Sequence, residues 1–169
     1  MANHDYPDRE FRVGEIQDVE VRKLIKHVDA RGWLAELFRE DELGSEDYKP
    51  VMSYLSMTEP GTVRGPHEHE DQADLFCFIG PGSFKLWLWD NRPDSATFWC
   101  RMVLLVGQDN PTSVLIPKGV VHAYKCVSRS MGAVINLPNR LYAGEGKRAT
   151  VDEIRHEDDP DSVFEVSEE

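Results

Sequence analysis

From Val19 onward the chain is a succession of short stretches with a two-residue hydrophobic period, cut at intervals by turn residues. Period two is the spacing at which successive side chains leave opposite faces of a strand. In Ser83-Phe84-Lys85-Leu86-Trp87-Leu88-Trp89, Phe84, Leu86 and Leu88 share one face and Trp87 and Trp89 the other, so both faces are expected to be covered. Further strands are predicted at 51–57, 75–79, 101–106, 112–116, 122–127 and 131–137. Glu59-Pro60-Gly61, Gly80-Pro81-Gly82, Asp90-Asn91-Arg92-Pro93, Asp109-Asn110-Pro111 and Pro117-Lys118-Gly119 supply the turns between them. Many short strands with regular turns predict an all-β sandwich or barrel. The clearest helix candidate is a short turn at 41–45. With no internal repeat and no linker, the reading is one domain over 1–169: a barrel at about 16–150 and an acidic segment at 151–169, in which Phe164 and Val166 would dock an edge.

The length of 169 residues suits one domain with a sizeable core. No apolar run approaches the roughly 20 residues that cross a bilayer. The polar start, Met1-Ala2-Asn3-His4-Asp5, lacks the basic and apolar regions of a signal peptide, so a cytoplasmic protein is expected. A formal charge of −12 argues against non-specific nucleic-acid binding, which needs Lys and Arg to displace counterions. Cys77, Cys100 and Cys126 have no zinc-type spacing and sit in or beside apolar runs, which reads as buried free thiols.

The most informative segment runs from Gly61 through Val63-Arg64-Gly65-Pro66-His67-Glu68-His69 to Asp74, followed later by Pro117-Lys118-Gly119-Val120-Val121-His122. Residues two apart on a strand point the same way, so His67 and His69 can converge. Asp74 can re-enter beside them after a short loop, and His122 can arrive from another strand. Three imidazoles and a carboxylate suit one divalent transition metal, Fe, Mn, Ni, Co or Zn. The pattern G-x5-H-x-H-x4-D-x5-G, then P-x-G-x-x-H, resembles the two metal motifs of the cupins. The fold this implies is the jelly-roll barrel, a double-stranded β-helix. The alternative is that some of these histidines act as acid–base or substrate-contact groups without metal.

The chain also resembles the dTDP-4-dehydrorhamnose 3,5-epimerase family, a cupin branch, from about Val28 to Pro160. Four stretches carry the likeness: Asp29-Ala30-Arg31-Gly32-Trp33-Leu34-Ala35-Glu36-Leu37-Phe38, Val63-Arg64-Gly65-Pro66-His67, Asp90-Asn91-Arg92-Pro93-Asp94-Ser95-Ala96-Thr97-Phe98, and Ile116-Pro117-Lys118-Gly119-Val120-Val121-His122-Ala123. Asp159-Pro160 recurs near the end. The resemblance implies a homodimer with exchanged N-terminal strands that binds a nucleotide diphospho-sugar in the barrel mouth. It implies Arg31 and Arg64 on the diphosphate, where guanidinium forks suit phosphate oxygens, and Glu36 at the nucleotide end. The implied chemistry is proton abstraction beside a ketone by His67, oriented by Asp159, with Tyr142 returning a proton on the opposite face.

The match breaks where the family's enolate-stabilising lysine should stand. Gln72-Ala73-Asp74-Leu75 puts a carboxylate there, and a family glutamine has become His69. Both changes move toward the metal pattern. A metal on His67, His69, Asp74 and His122 would restore the lost positive charge and act as a Lewis acid on a keto oxygen. His67 cannot be ligand and free base at once, and the sequence leaves both roles open. Three readings follow: a nucleotide-sugar epimerase or isomerase, a metal-dependent cupin oxygenase or lyase on another small substrate, and a non-catalytic sugar-binding cupin.

Overall fold

A computed structural model describes residues 6–7, 10–42 and 48–167. Its strands are β1 (Arg12–Val13), β2 (Glu20–Lys23), β3 (His27–Asp29), β4 (Gly32–Leu34), β5 (Tyr54–Thr58), β6 (Val63–Glu68) and β7 (Asp74–Phe78). They continue with β8 (Ser83–Asp90), β9 (Cys100–Gly107), β10 (Thr112–Ile116), β11 (Val120–Cys126), β12 (Gly132–Asn136) and β13 (Ile154–Arg155). One sheet has the order β1-β9-β8-β11-β6-β13, the other β2-β10-β7-β12-β5, and β3 and β4 form a separate hairpin. From β5 onward consecutive strands alternate between the two facing sheets except at the β8–β9 hairpin, and the sheets together make the jelly-roll barrel of a cupin.

The predicted strands that correspond to β7 through β12 have boundaries within two residues of those observed, and β10 coincides. Between the sheets lie Phe76, Phe78, Phe84, Leu86, Leu88 and Val114. On β8 the alternation holds as expected: Trp87 and Trp89 face outward and are buried beneath Tyr6, Phe11 and Phe164. Each such indole removes roughly 150–250 Å² from water, worth several kcal/mol at about 25 cal/mol per Å². Phe164 therefore docks on the outer face of the six-stranded sheet rather than on an edge. The outer face of the other sheet, Leu75, Cys77 and Leu115, lies under Leu24, Tyr48 and flanking Leu37 and Phe38. Cys77, Cys100 and Cys126 are buried free thiols. Of the predicted helical turn at 41–45, Asp41 and Glu42 lie in a turn and the remainder falls outside the described residues.

Two features position the site. Gly65 has φ +82, and a Cβ there would lie 2.5 Å from the His122 carbonyl oxygen and 3.1 Å from His67 Nδ1. Only glycine lets β6 approach β11 so closely at this positive φ. The β6–β11 register aligns His67 with His122 and then slips before Tyr124. The acidic C-terminal segment does not simply solvate. Ile154 and Arg155 add a short strand to β6 opposite Glu68 and His67. Next to them His156 is buried, its Nε2 2.9 Å from Glu68 Oε1.

Candidate active site

One mouth of the barrel opens into a cavity of about 870 Å³ lined by side chains of both sheets, among them Tyr54, Arg64, His67, His69 and Tyr124. This lies within the range of small-molecule sites. The imidazoles of His67, His69 and His122 converge so that one nitrogen of each lies within 4.8 Å of the others. β6 and the residue after it supply the first two, and β11 the third.

His122 is fully buried and donates from Nδ1 to the Val120 carbonyl (3.1 Å). Its Nε2 therefore keeps a lone pair, directed 3.7 Å from Asp74 Oδ2. Burial, then repulsion from the neighbouring His67, push its pKa down to about 3, so it is neutral at ordinary pH. His69 donates from Nδ1 to the Asp152 carbonyl, and its Nε2 lies 3.1 Å from Asp74 Oδ2. Burial opposes its protonation, but the Asp74 hydrogen bond and charge outweigh that and raise its pKa.

Asp74, at the start of β7, is buried but well supplied with donors. Its Oδ1 accepts from Gln72 Nε2 (2.9 Å) and Asn136 Nδ2 (2.7 Å). Burial raises the cost of its charge, yet the His69 hydrogen bond and the nearby imidazoles hold its pKa below the usual value. Asp152 organises the loop leading to it. Its carboxylate accepts from the backbone N–H groups of Glu70, Asp71 and Gln72 at 2.8–2.9 Å.

His67 is partly exposed to the cavity. Its Nδ1 lies 3.8 Å from Glu153 Oε1 and 3.8 Å from Glu157 Oε1. Asp159, expected as its partner, is exposed and accepts from the Asp161 backbone through Oδ1. The correction is one of register. β13 pairing with β6 and the buried His156 bring residues 153 and 157 to the imidazole, and the chain has turned away by 159. The sequence signal for these glutamates was submerged in a run of acidic residues.

Arg64 lines the cavity, with Nε donating to Thr58 Oγ1 (3.0 Å) and Nη2 to the Met57 carbonyl (3.0 Å). Tyr142 also borders the cavity but is 58% exposed. Arg31 and Glu36 are not there within this chain. Arg31 sits at the β3–β4 turn and forks onto Asp29, with Nη2 2.6 Å from Oδ2. Glu36 pairs with Arg39 beside a separate, smaller cavity. Tyr54, which lines the cavity, and Asn136, fully buried behind it, escaped the sequence reading as candidates. Tyr54 and Asn136 are paired across β5 and β12, and Asn136 Nδ2 donates to Tyr54 Oη (3.0 Å).

The run from Asp90 to Phe98 that most closely fits the family pattern proves structural. Asp90 is fully buried and accepts from Arg92 Nε (2.8 Å), Ser95 Oγ (2.6 Å) and Thr97 Oγ1 (2.6 Å). It closes the β8–β9 connection and contributes nothing to the cavity lining.

Fold and site together define a jelly-roll sugar-nucleotide isomerase. Residues 14–159 match the dTDP-4-dehydrorhamnose 3,5-epimerase family, and the chain belongs to it. It is 39% identical over 127 residues to the spore coat polysaccharide biosynthesis protein SpsL of Bacillus subtilis, covering 75% of this chain and 82% of that one. It is 38% identical over 128 residues to the probable low-salt glycan biosynthesis epimerase Agl13 of Haloferax volcanii, covering 75% and 81%. A dTDP sugar isomerase from Desulfovibrio desulfuricans G20 shares the fold, with TM-score 0.75, 20% identity, and 89% and 91% of the two chains covered. Among the described residues no helix is long and apolar enough to cross a membrane.

Proposed function

We propose that this chain epimerises a dTDP-linked 4-keto-6-deoxyhexose in the barrel mouth, with His67 as the base. The observation that carries this reading is the His67 imidazole at the cavity wall, its Nδ1 facing the Glu153 and Glu157 carboxylates at 3.8 Å. An imidazole backed by carboxylates is suited to act as a general base. His67 removes the proton beside the ketone, and the C–H electron pair passes into an enolate. Glu153 and Glu157 stabilise the imidazolium as it forms. Arg64 lies where a diphosphate entering the mouth can meet its guanidinium.

A protein of this type would work in the cytoplasm as a homodimer. The β3–β4 hairpin exposes Val28, Trp33 and Leu34, an apolar surface suited to a second copy. Arg31 and Glu36 would then serve a cavity other than that of their own chain.

A metal-assisted variant is favoured by a different observation. His69 and His122 both spend Nδ1 on backbone carbonyls, which turns both Nε2 atoms inward toward Asp74. That is the outer-shell arrangement of metal-ligating histidines. His67, His69 and His122, with Asp74, would hold an ion of Fe, Mn, Ni, Co or Zn, and such an ion supplies Lewis acidity toward a keto oxygen. His67 would then not be free as a base.

Incubation with dTDP-4-keto-6-deoxyglucose in D2O, followed by NMR, tests the reaction. Deuterium entering beside the ketone together with an inverted sugar is the expected result. No exchange and no binding of the nucleotide sugar would overturn it. Elemental mass spectrometry on untagged wild type, His69→Ala and Asp74→Ala separates the two variants. Turnover that survives chelation supports His67 as base, whereas stoichiometric metal lost in both substitutions supports the metal-assisted route.

A further inference from the structure

Epimerisation needs two groups, because the proton must leave one face of the sugar and return to the other. His67 stands on β6, in the six-stranded sheet. A proton donor for the opposite face has to come from the other wall, and the five-stranded sheet brings Tyr54, on β5, to the same cavity.

The hydrogen bonds around Tyr54 fix which way its proton points. Asp74 Oδ1 accepts from two amides, Gln72 Nε2 and Asn136 Nδ2. A carboxylate oxygen in contact with Asn136 sets that amide with its NH2 toward Asp74, since the reverse orientation would bring two acceptors together. The second proton of the same NH2 reaches Tyr54 Oη at 3.0 Å. Tyr54 is thereby the acceptor in that bond, and its own O–H proton is left for the cavity. Tyr124, the neighbouring cavity phenol, instead shares its hydroxyl with Ser56 Oγ at 3.1 Å.

From this arrangement we infer that Tyr54 is the catalytic acid, oriented by an Asp74–Asn136 relay. The inference rests on the epimerase reading and adds to it the residue that delivers the second proton. After His67 has taken the C–H proton, the Tyr54 O–H bond breaks and its proton joins the carbon from the opposite face. The enolate electron pair forms the new C–H bond and the ketone is restored; the His67 imidazolium then releases its proton to solvent at the cavity mouth and the tyrosinate takes one up, which returns both groups to their starting states. Burial pushes the Tyr54 hydroxyl up to about 12, so it is fully protonated when the enolate forms. Asn136 is a positioning residue, and the aspartate standing where the family has a lysine acquires a role: it sets the direction of the acid's proton.

The test uses Tyr54→Phe, Tyr142→Phe and wild type with dTDP-4-keto-6-deoxyglucose in D2O, with exchange and inversion read separately. The expected result is that Tyr54→Phe still exchanges deuterium beside the ketone, within about threefold of wild type, while inversion falls at least 100-fold. Retained exchange also shows that the variant is folded and binds substrate. Inversion preserved in Tyr54→Phe overturns the proposal and leaves the epimerase reading intact. The same split appearing in Tyr142→Phe instead assigns the acid there and overturns it too. A wild-type protein that exchanges no deuterium overturns both.

Discussion

Asp90 and Asp74 are both buried carboxylates on strands of one barrel, yet their surroundings differ. Asp90 is saturated by Arg92, Ser95 and Thr97, all from the loop that follows it. Asp74 meets His69, His122, Gln72 and Asn136, gathered from both sheets and the loop between β6 and β7. Around Asp74 the accounts do not close. His67 Nδ1, His122 Nε2 and Asn136 Oδ1 are buried without a hydrogen-bond partner among the described residues. Buried polar atoms are nearly always paired in a folded chain, and an unpaired one costs about 1–3 kcal/mol. A closed network of local partners marks a structural post. An open one assembled from distant strands marks a place where something else binds.

The comparison predicts that damage at the two carboxylate regions separates stability from activity. The largest effect is expected for His67→Gln, with both exchange and inversion falling about 10³-fold or more and the melting temperature little changed. Calorimetry with the D2O assay checks this, and a large drop in melting temperature would make His67 a structural residue. Asp90→Ala should do the reverse, losing about 3 kcal/mol of stability by removing the buried acceptor shared by Arg92, Ser95 and Thr97 while the folded protein keeps its turnover.

Acid should narrow the Asp90 difference. The Asp90 carboxyl is desolvated, but the Arg92, Ser95 and Thr97 hydrogen bonds hold its pKa below the usual carboxylate range. A depressed folded value means that the stabilisation is complete above the unfolded value and is lost as pH falls through the folded one. Urea melts of wild type and Asp90→Ala should therefore differ constantly from neutral pH down to about pH 5 and converge below about pH 4. A difference that grows in acid would contradict the assignment.

A smaller effect, about tenfold in kcat, is expected for Glu157→Gln, which removes one carboxylate facing His67 without touching the fold. The smallest is Asp159→Asn, whose rate should stay within about twofold of wild type, as expected of an exposed surface change. If the two variants exchange these outcomes, the expectation that paired His67 with Asp159 regains its place.

Sequence alone determined the class of fold and half of the site. Period-two alternation with Gly and Pro turns requires two-faced strands, and Phe84, Leu86 and Leu88 against Trp87 and Trp89 announced a sheet covered on both sides. H-x-H brings two imidazoles to one side of a strand by geometry alone, and His122 was readable as the third. Only the tertiary structure decided the partners. Glu153 and Glu157 reach His67 because β13 pairs with β6 and His156 is buried behind it, a long-range choice that no local pattern encodes. Tyr54 and Asn136 gain meaning from cross-strand register between β5 and β12. The Asp90–Phe98 run shows the converse: a motif can be specific to a family and still serve only to hold a loop. Local periodicity sets which face a side chain takes, whereas pairing between distant strands sets what it finds there.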